Sequence, residues 1–286
     1  MTGRVIRAIT AMTGCMLCLC ASAADVGSDV TGRTFTFGIV PQQAPSKLLK
    51  SWAPVFHYMQ ERTGHRFVFR TAPDIPTFED RVLAGEYDFV YMNPYHFTVF
   101  NQGEAGYQAV ARAKDKRIRG IIVVRKDSPA HALEDLAGQQ LAFPAPAAFA
   151  ASVLPQANLR SAGIAFEAKY VSSHDSVYQS VAKGLYPAGG GVVRTLNATD
   201  PEVREQLRVL WTTPGYTPHA IAAHPDIPAG IIETVQQVLV GMNCEDEGRD
   251  ALENLKIKGL EAATNADWDD VRSLNITTSL GSADQE

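Results

Sequence analysis

The chain has 286 residues, is 45% apolar and carries a formal charge of −5. That length holds one large domain or two lobes. The acidic balance, without a dense basic stripe, argues against a nucleic-acid surface. No apolar run reaches the roughly 20 residues of a membrane span, so a soluble mature protein, peripheral to a membrane at most, is expected.

Residues 1 to 23 read as an export signal. Arg4 and Arg7 make a basic start, Ala8 to Leu19 is mostly apolar, and Ala21, Ser22 and Ala23 form a small-x-small site. Cleavage is expected before Ala24. A second reading makes Cys15, in MTGC, a lipid-attachment site, but Met12 stands where a branched residue is usual, so the lipid anchor ranks behind simple secretion. Cleavage removes Cys15, Cys18 and Cys20 together with two arginines, taking the formal charge from −5 to −7. Cys244 is then alone, no internal disulfide can form, and stability must come from packing, which suits a bacterial periplasm. Cys244 reads as a buried or half-buried thiol in a helix-rich segment.

TFTFGIV, at residues 34–40, reads as a strand, and Pro41 to Pro45 as a loop. Leu48, Leu49, Trp52, Val55, Phe56 and Met59 then keep helical spacing until Thr63-Gly64. HRFVFR is a second strand. Thr77 and Asp80 have capping-box spacing for a short helix to Glu86. GEYDFVYMNPYHFTVF reads as a strand over Phe89 to Met92, a break at Asn93-Pro94, and a helix; YQAVARA follows as a strand. GIIVVRK is a β-branched strand, KDSPAHALEDLAG a turn and short helix, and QLAF a strand. PAPAAFAASVLPQANLRSAG is a helix with a small-residue start, and FEAKYV, SHDSVYQSVAKG and AGGGVV give strand, helix, strand. Asp200-Pro201 caps a further helix, and RVLWTT and HAIAAH are strands. An amphipathic helix from Pro228 and two short helices close the chain.

This alternation implies an α/β fold. Two βα series joined by long strands suggest two lobes and a cleft. Ligands of open α/β sheets bind beyond the carboxyl ends of strands, often between lobes. Pro41 to Pro45, Tyr91 to His96 and Pro144 to Ala150 occupy such positions.

Taken in order, FGIVPQ, WAPVFHYMQERTG, AGEYDFVYMNPYHF, VVRKDSPAHALEDLAGQQLAFP, SSHDSVYQSVAKG and TNADWDDVR resemble periplasmic substrate-binding proteins of the phosphate/phosphite/phosphonate ABC-importer family. Each motif alone is weak; the ordered set is specific and runs from about Thr34 to about Leu274. The resemblance implies a two-lobed type II periplasmic-binding-protein (Venus flytrap) fold with two hinge strands. Lobe one would take residues 34–117 and 214–286, lobe two 118–213, with the hinge near Ile118 to Val124 and Leu207 to Thr212. It implies a small-molecule ligand, an ABC permease as partner, and no cofactor. The same fold can serve as the sensing subunit of a membrane histidine kinase. A monomer is expected.

The resemblance also marks departures. Phosphonate-binding members carry a Ser/Thr run at a helix start of lobe two, whereas this chain has Ala147, Ala148, Phe149, Ala150 and Ala151, and Ser152 is the first hydroxyl. Each lost charge-assisted hydrogen bond removes about 1.5–3 kcal/mol, although a helix start still offers amides and a dipole. Ile75 replaces the family's tyrosine in APDY, and Pro187 replaces its aspartate in GxxDAG; His174 is kept. A ligand more apolar than a simple aminophosphonate is expected.

The candidate ligand-binding residues are therefore Gln42, Gln43, Tyr91, Asn93, Tyr95, Ala148, Phe149, Ala150, Ser152 and His174. Phe89 and Phe97 read as core. Alternation leaves open whether Tyr91 or Met92 faces the ligand, and Phe149 whether to stack on it or seal the lobes. Tyr216 and His219 read as structural, His57 and His65 as surface, and Gly189 to Gly191 as close packing. No catalytic or metal-binding residues are expected: SSHDS is not a triad, and G-x-S-x-G, H-E-x-x-H and Ser-x-x-Lys are absent.

Overall fold

A computed structural model of the chain describes residues 32 to 276. The export signal, Cys15 and the end of the tail lie outside the described residues. In chain order the first segment contains β1 (Thr34–Ile39), α1 (Pro45–Thr63), β2 (Arg66–Arg70), α2 (Ile75–Leu83), β3 (Phe89–Met92), α3 (Pro94–Gln102) and β4 (Gln108–Ala113). The second holds β5 (Ile121–Arg125), β6 (Gln140–Phe143), a π-helical turn (Phe149–Val153), α4 (Leu154–Ser161), β7 (Glu167–Tyr170), α5 (His174–Ala182), β8 (Ala188–Gly191), α6 (Val193–Ala198), α7 (Pro201–Arg204) and β9 (Leu207–Thr212). The last brings β10 (Ala220–Ala223), α8 (Ala229–Gly241), α9 (Asp246–Glu253), β11 (Leu260–Ala262) and α10 (Asp269–Arg272).

The strands form two mixed sheets, ordered β11-β4-β10-β3-β1-β2 and β7-β6-β8-β5-β9. Both follow one plan. Parallel strands form one side (β2-β1-β3 and β7-β6-β8), and an antiparallel strand then intervenes before the next one. In each sheet the intervening strand, β10 or β5, arrives from the other sheet. The two crossings lie side by side: Ile118 and Tyr216 exchange both backbone hydrogen bonds, at 2.8 and 2.9 Å. This is the mixed α/β architecture of a type II periplasmic binding protein.

The apolar patterns explain the layers. Ile121 and Val123 point into one core with Val177, Tyr178 and Val181, while Ile122 and Val124 point into another with Leu136, Leu141 and Phe143. A strand covered on both faces needs no polar alternation, hence the unbroken IIVV run. In the first sheet Phe37 packs on Trp52 and Phe56 of α1. On the other face Phe97 meets Trp268 at 4.4 Å between ring centroids, and Phe89 and Phe97 are both fully buried.

Some local expectations are corrected. The cap of α2 is Asp74, whose carboxylate accepts the Thr77 amide at 2.8 Å; the helix starts at Ile75 and stops at Leu83. Aspartate before Ile-Pro is a stronger start than threonine two residues inside it. His65 is 3% exposed and edge-on to Phe35, so it is core and not surface. Cys244 is exposed, because the tight turn Met242–Cys244 points Met242 inward instead.

Candidate functional site: the cleft at the strand ends

Register decides which side chains can meet. Ile39 at the end of β1 pairs with Tyr91, and Met92 at the end of β3 pairs with Ala220 at the start of β10. The residues just past these positions are Val40 to Gln42, Asn93 and His219. They must converge at the carboxyl end of the sheet.

They do. Tyr91 stacks on His219, with centroids 5.0 Å apart and planes 16° from parallel, and Trp52 backs Tyr91 at 4.8 Å. Met92 is fully buried, so Tyr91 is the member of the pair that faces this site. Gln42 Nε2 lies 2.8 Å from His219 Nε2. An amide nitrogen only donates, so His219 Nε2 accepts and its ring is neutral. The electrostatic environment agrees: His219 is pushed down to about 3, first by burial and then by its neighbours Lys116, His96 and Arg194. Burial likewise pushes the Tyr91 hydroxyl up, while Arg194 pulls it down. Both rings offer neutral polar tips.

Asn93 has a double role. Its Oδ1 accepts the His96 amide at 2.8 Å and caps α3, although the residue is only 3% exposed. Its Nδ2 has no partner among the described residues and remains a donor. Gln43 is half-buried without a hydrogen bond among these residues. Tyr95 points into the apolar core. His96, next to it, is fully buried 2.8 Å from Glu79, a contact out of line for a hydrogen bond.

The second sheet offers its own carboxyl ends. Ala148 precedes the π turn, and its carbonyl accepts the Ser152 and Val153 amides at 2.7 and 3.2 Å. Ser152 is fully buried with an unpartnered hydroxyl, so it is sealed in the interior and not displayed. Phe149, Val153 and Leu154 belong to the same apolar cluster as Met92, Tyr95 and Tyr216. Phe149 therefore seals one lobe against the other. Ala148 and Ala150 stay half-buried at the turn. The turn sits low because Gly120 and Gly190 lie under it: a Cβ on either would come within 2.0 Å of the Ala150 or Ala151 carbonyl oxygen.

His174, first in α5, is half-buried with Nδ1 3.1 Å from Thr195 Oγ1. Burial lowers its pKa and Arg194 adds to that, while Asp175 acts the other way. Ser173 caps the helix, accepting the Ser176 amide at 3.1 Å. Pro187 is exposed at the amino end of β8, a strand length of about 10 Å from the carboxyl end beside the crossings.

The residue that sequence reasoning missed is His219. Flanking the second hinge together with Tyr216, it reads from the sequence as structural, whereas the register of β10 sets it against Tyr91. Nothing local shows that β10 inserts beside β3; a polar aromatic one residue before an inserted antiparallel strand is the signal to look for.

Comparisons with known proteins identify the family and the fold. The family model described as "ABC transporter, phosphonate, periplasmic substrate-binding protein" matches residues 37–268. A phosphate-import protein, PhnD, of Mycolicibacterium smegmatis is 22% identical over 281 residues, covering 84% of each chain. PhnD1 of Prochlorococcus marinus, solved with methylphosphonate, superposes with a TM-score of 0.69 at 16% identity, over 85% of this chain and 97% of its own. XAC2383 of Xanthomonas citri, solved with chloride, gives 0.71 at 18% identity, over 84% and 99%.

Proposed function

Because this chain belongs to the family of phosphonate ABC-transporter periplasmic substrate-binding proteins, we propose that its two lobes close on a small oxyanion of the phosphate or phosphonate class that carries no amine. The family captures a ligand and delivers it to an ABC importer, so a small-molecule ligand and a permease partner follow. The observation that carries the ligand class is the neutral stack of Tyr91 and His219, backed by Trp52 and tied to Gln42. It presents an apolar face with polar tips and no carboxylate that would hold an ammonium group.

In this reading Gln42, Tyr91, Asn93 and His219 line the first lobe and His174 the second. Lobe one takes residues 34–117 and 214–276 with the tail, and lobe two 118–213. The backbone bridge between Ile118 and Tyr216 is the hinge. Ligand touches both lobes only when they are closed, so binding shifts the population toward closure. The mature chain starts at Ala24, is released into the periplasm and acts as a monomer.

Isothermal titration of the mature protein with inorganic phosphate, methylphosphonate and 2-aminoethylphosphonate tests this. The first two should bind and the third should bind more weakly. Tightest binding of the aminophosphonate overturns it.

A further inference from the structure

A cavity of about 390 Å³ lies between α4 and the segment that follows α10. None of Gln42, Tyr91, Asn93, His174 and His219 lines it, so it is separate from the aromatic stack. One wall is a face of α4. Gln156 and Arg160 are four residues apart and share that face, with Ala157 between them. The other wall is Leu274 and Ile276, which also pack against the apolar cluster that holds Phe97 and Trp268. Tyr170, the last residue of β7, completes the lining.

The polar groups of this cavity are held in place. Gln156 is only 3% exposed, and both ends of its amide are used. Its Oε1 accepts from Arg160 Nη2 at 3.1 Å, and its Nε2 donates to the Tyr170 hydroxyl oxygen at 3.4 Å. The Arg160 guanidinium also lies 5.5 Å from the centroid of the Phe166 ring. These contacts fix the cation without neutralising it. Arg160 has no ion pair among the described residues, and no aspartate or glutamate lines the cavity. By contrast, Arg62, Arg112, Arg117, Arg125 and Arg272 each meet a carboxylate. The remaining N–H groups of Arg160 and the O–H of Tyr170 are left as donors.

We propose that this cavity is a second ligand site, for a small organic monocarboxylate with a short aliphatic chain. The planar guanidinium, tied at one nitrogen, offers a pair of N–H groups to the two oxygens of one carboxylate. The Tyr170 hydroxyl adds a further donor. A single cation balances a single negative charge; a dianion would leave its second charge unpaired beside apolar side chains. Leu274, Ile276 and Ala157 take the chain of the acid. The volume falls at the small end of ligand pockets, which span about 300–1,000 Å³. The site does not rest on the oxyanion reading of the cleft. Because its walls come from α4 and from the segment after α10, an occupant ties the two together and stabilises the fold by mass action.

Ligand-observed NMR titrations of the mature protein and its Arg160→Gln, Arg160→Lys and Leu274→Ala variants with butyrate, hexanoate and butylamine test this. Hexanoate should bind the wild type about tenfold more tightly than butyrate, because its longer chain buries more methylenes, and butylamine should not bind. Arg160→Gln should weaken both acids about tenfold or more and keep the unliganded melting temperature, since Arg160 is exposed. Arg160→Lys should recover only part of the affinity, because it lacks the fork. Leu274→Ala should weaken hexanoate more than butyrate. If the wild type binds neither acid, or Arg160→Gln binds both within about twofold of the wild type, the site is wrong. Butylamine binding as well as butyrate overturns the role of the cation. Displacement of bound hexanoate by methylphosphonate at equal concentration would put the acid in the cleft and overturn the second site, while the oxyanion reading would stand.

Discussion

The carboxyl ends of the two sheets share a topology and are finished in opposite ways. In the first, side chains do the work: Tyr91, His219, Gln42 and Asn93 each have a defined contact and a polar group left over. In the second, backbone fills the space. The turn over Phe149–Val153 lies directly on Gly120 and Gly190, its serine is sealed, and its phenylalanine packs into the opposite lobe. Equal topology therefore does not impose equal chemistry. One strand end can present polar side chains at its surface while its counterpart becomes a packing surface.

Four substitutions or conditions would break or sharpen that contrast. The largest effect is expected at Trp268, which is fully buried, touches Phe97 and donates Nε1–H to the Pro218 carbonyl at 2.9 Å. Trp268→Ala should cost about 3–5 kcal/mol in chemical denaturation and loosen the segment that carries His219. A loss under about 1 kcal/mol would show that the first cleft wall does not depend on this anchor. Next is Gly190→Ala. Its methyl group would press on the Ala151 carbonyl and the Phe143 ring, at 2.0 and 2.6 Å, for about 1–3 kcal/mol. An unchanged melting curve would mean that the second turn is free to rise, against the packing picture.

Asn93→Ala removes the α3 cap, for about 1 kcal/mol, and also the unpaired amide donor. Ligand affinity that survives this change would assign Asn93 to the scaffold alone. The last test concerns pH, with an effect that is absent near neutrality and grows as pH falls. His219 titrates near 3 in the folded protein against 6.5 as its ordinary value. Unfolded chains therefore take up its proton first, so stability present above about pH 6.5 is lost as pH falls toward 3. Lys116, His96 and Arg194 all act in that direction. Unfolding curves of wild type and His219→Gln across that range should show a flatter profile for the variant; identical slopes would refute the neutral-ring assignment.

Much of the fold was legible in the chain. Helical spacing located α1, the β-branched run located β5, and Asn93-Pro94 located the break between β3 and α3, because each is a local rule. The cleft was legible in part. Tyr91 and His174 could be placed by strand ends and by resemblance. Tyr95, Phe149 and Ser152 are buried because the face each one presents is set by neighbours distant in sequence. His219 escaped for the same reason. A residue just before an inserted strand shares no sequence pattern with Tyr91, and only the return of the chain from the second sheet sets the two rings together.

The double role of Asn93 also bears on how such a receptor could change its solute. Alanine there would damage the helix and the donor together. Aspartate would keep the capping oxygen and exchange the free amide for a second oxygen, with almost no change in shape. Altering one atom would then convert a point that welcomes anions into one that repels them, while the scaffold stays as it is. A solute switch toward cations has a short mutational path at this position, and its first step need not destabilise the fold.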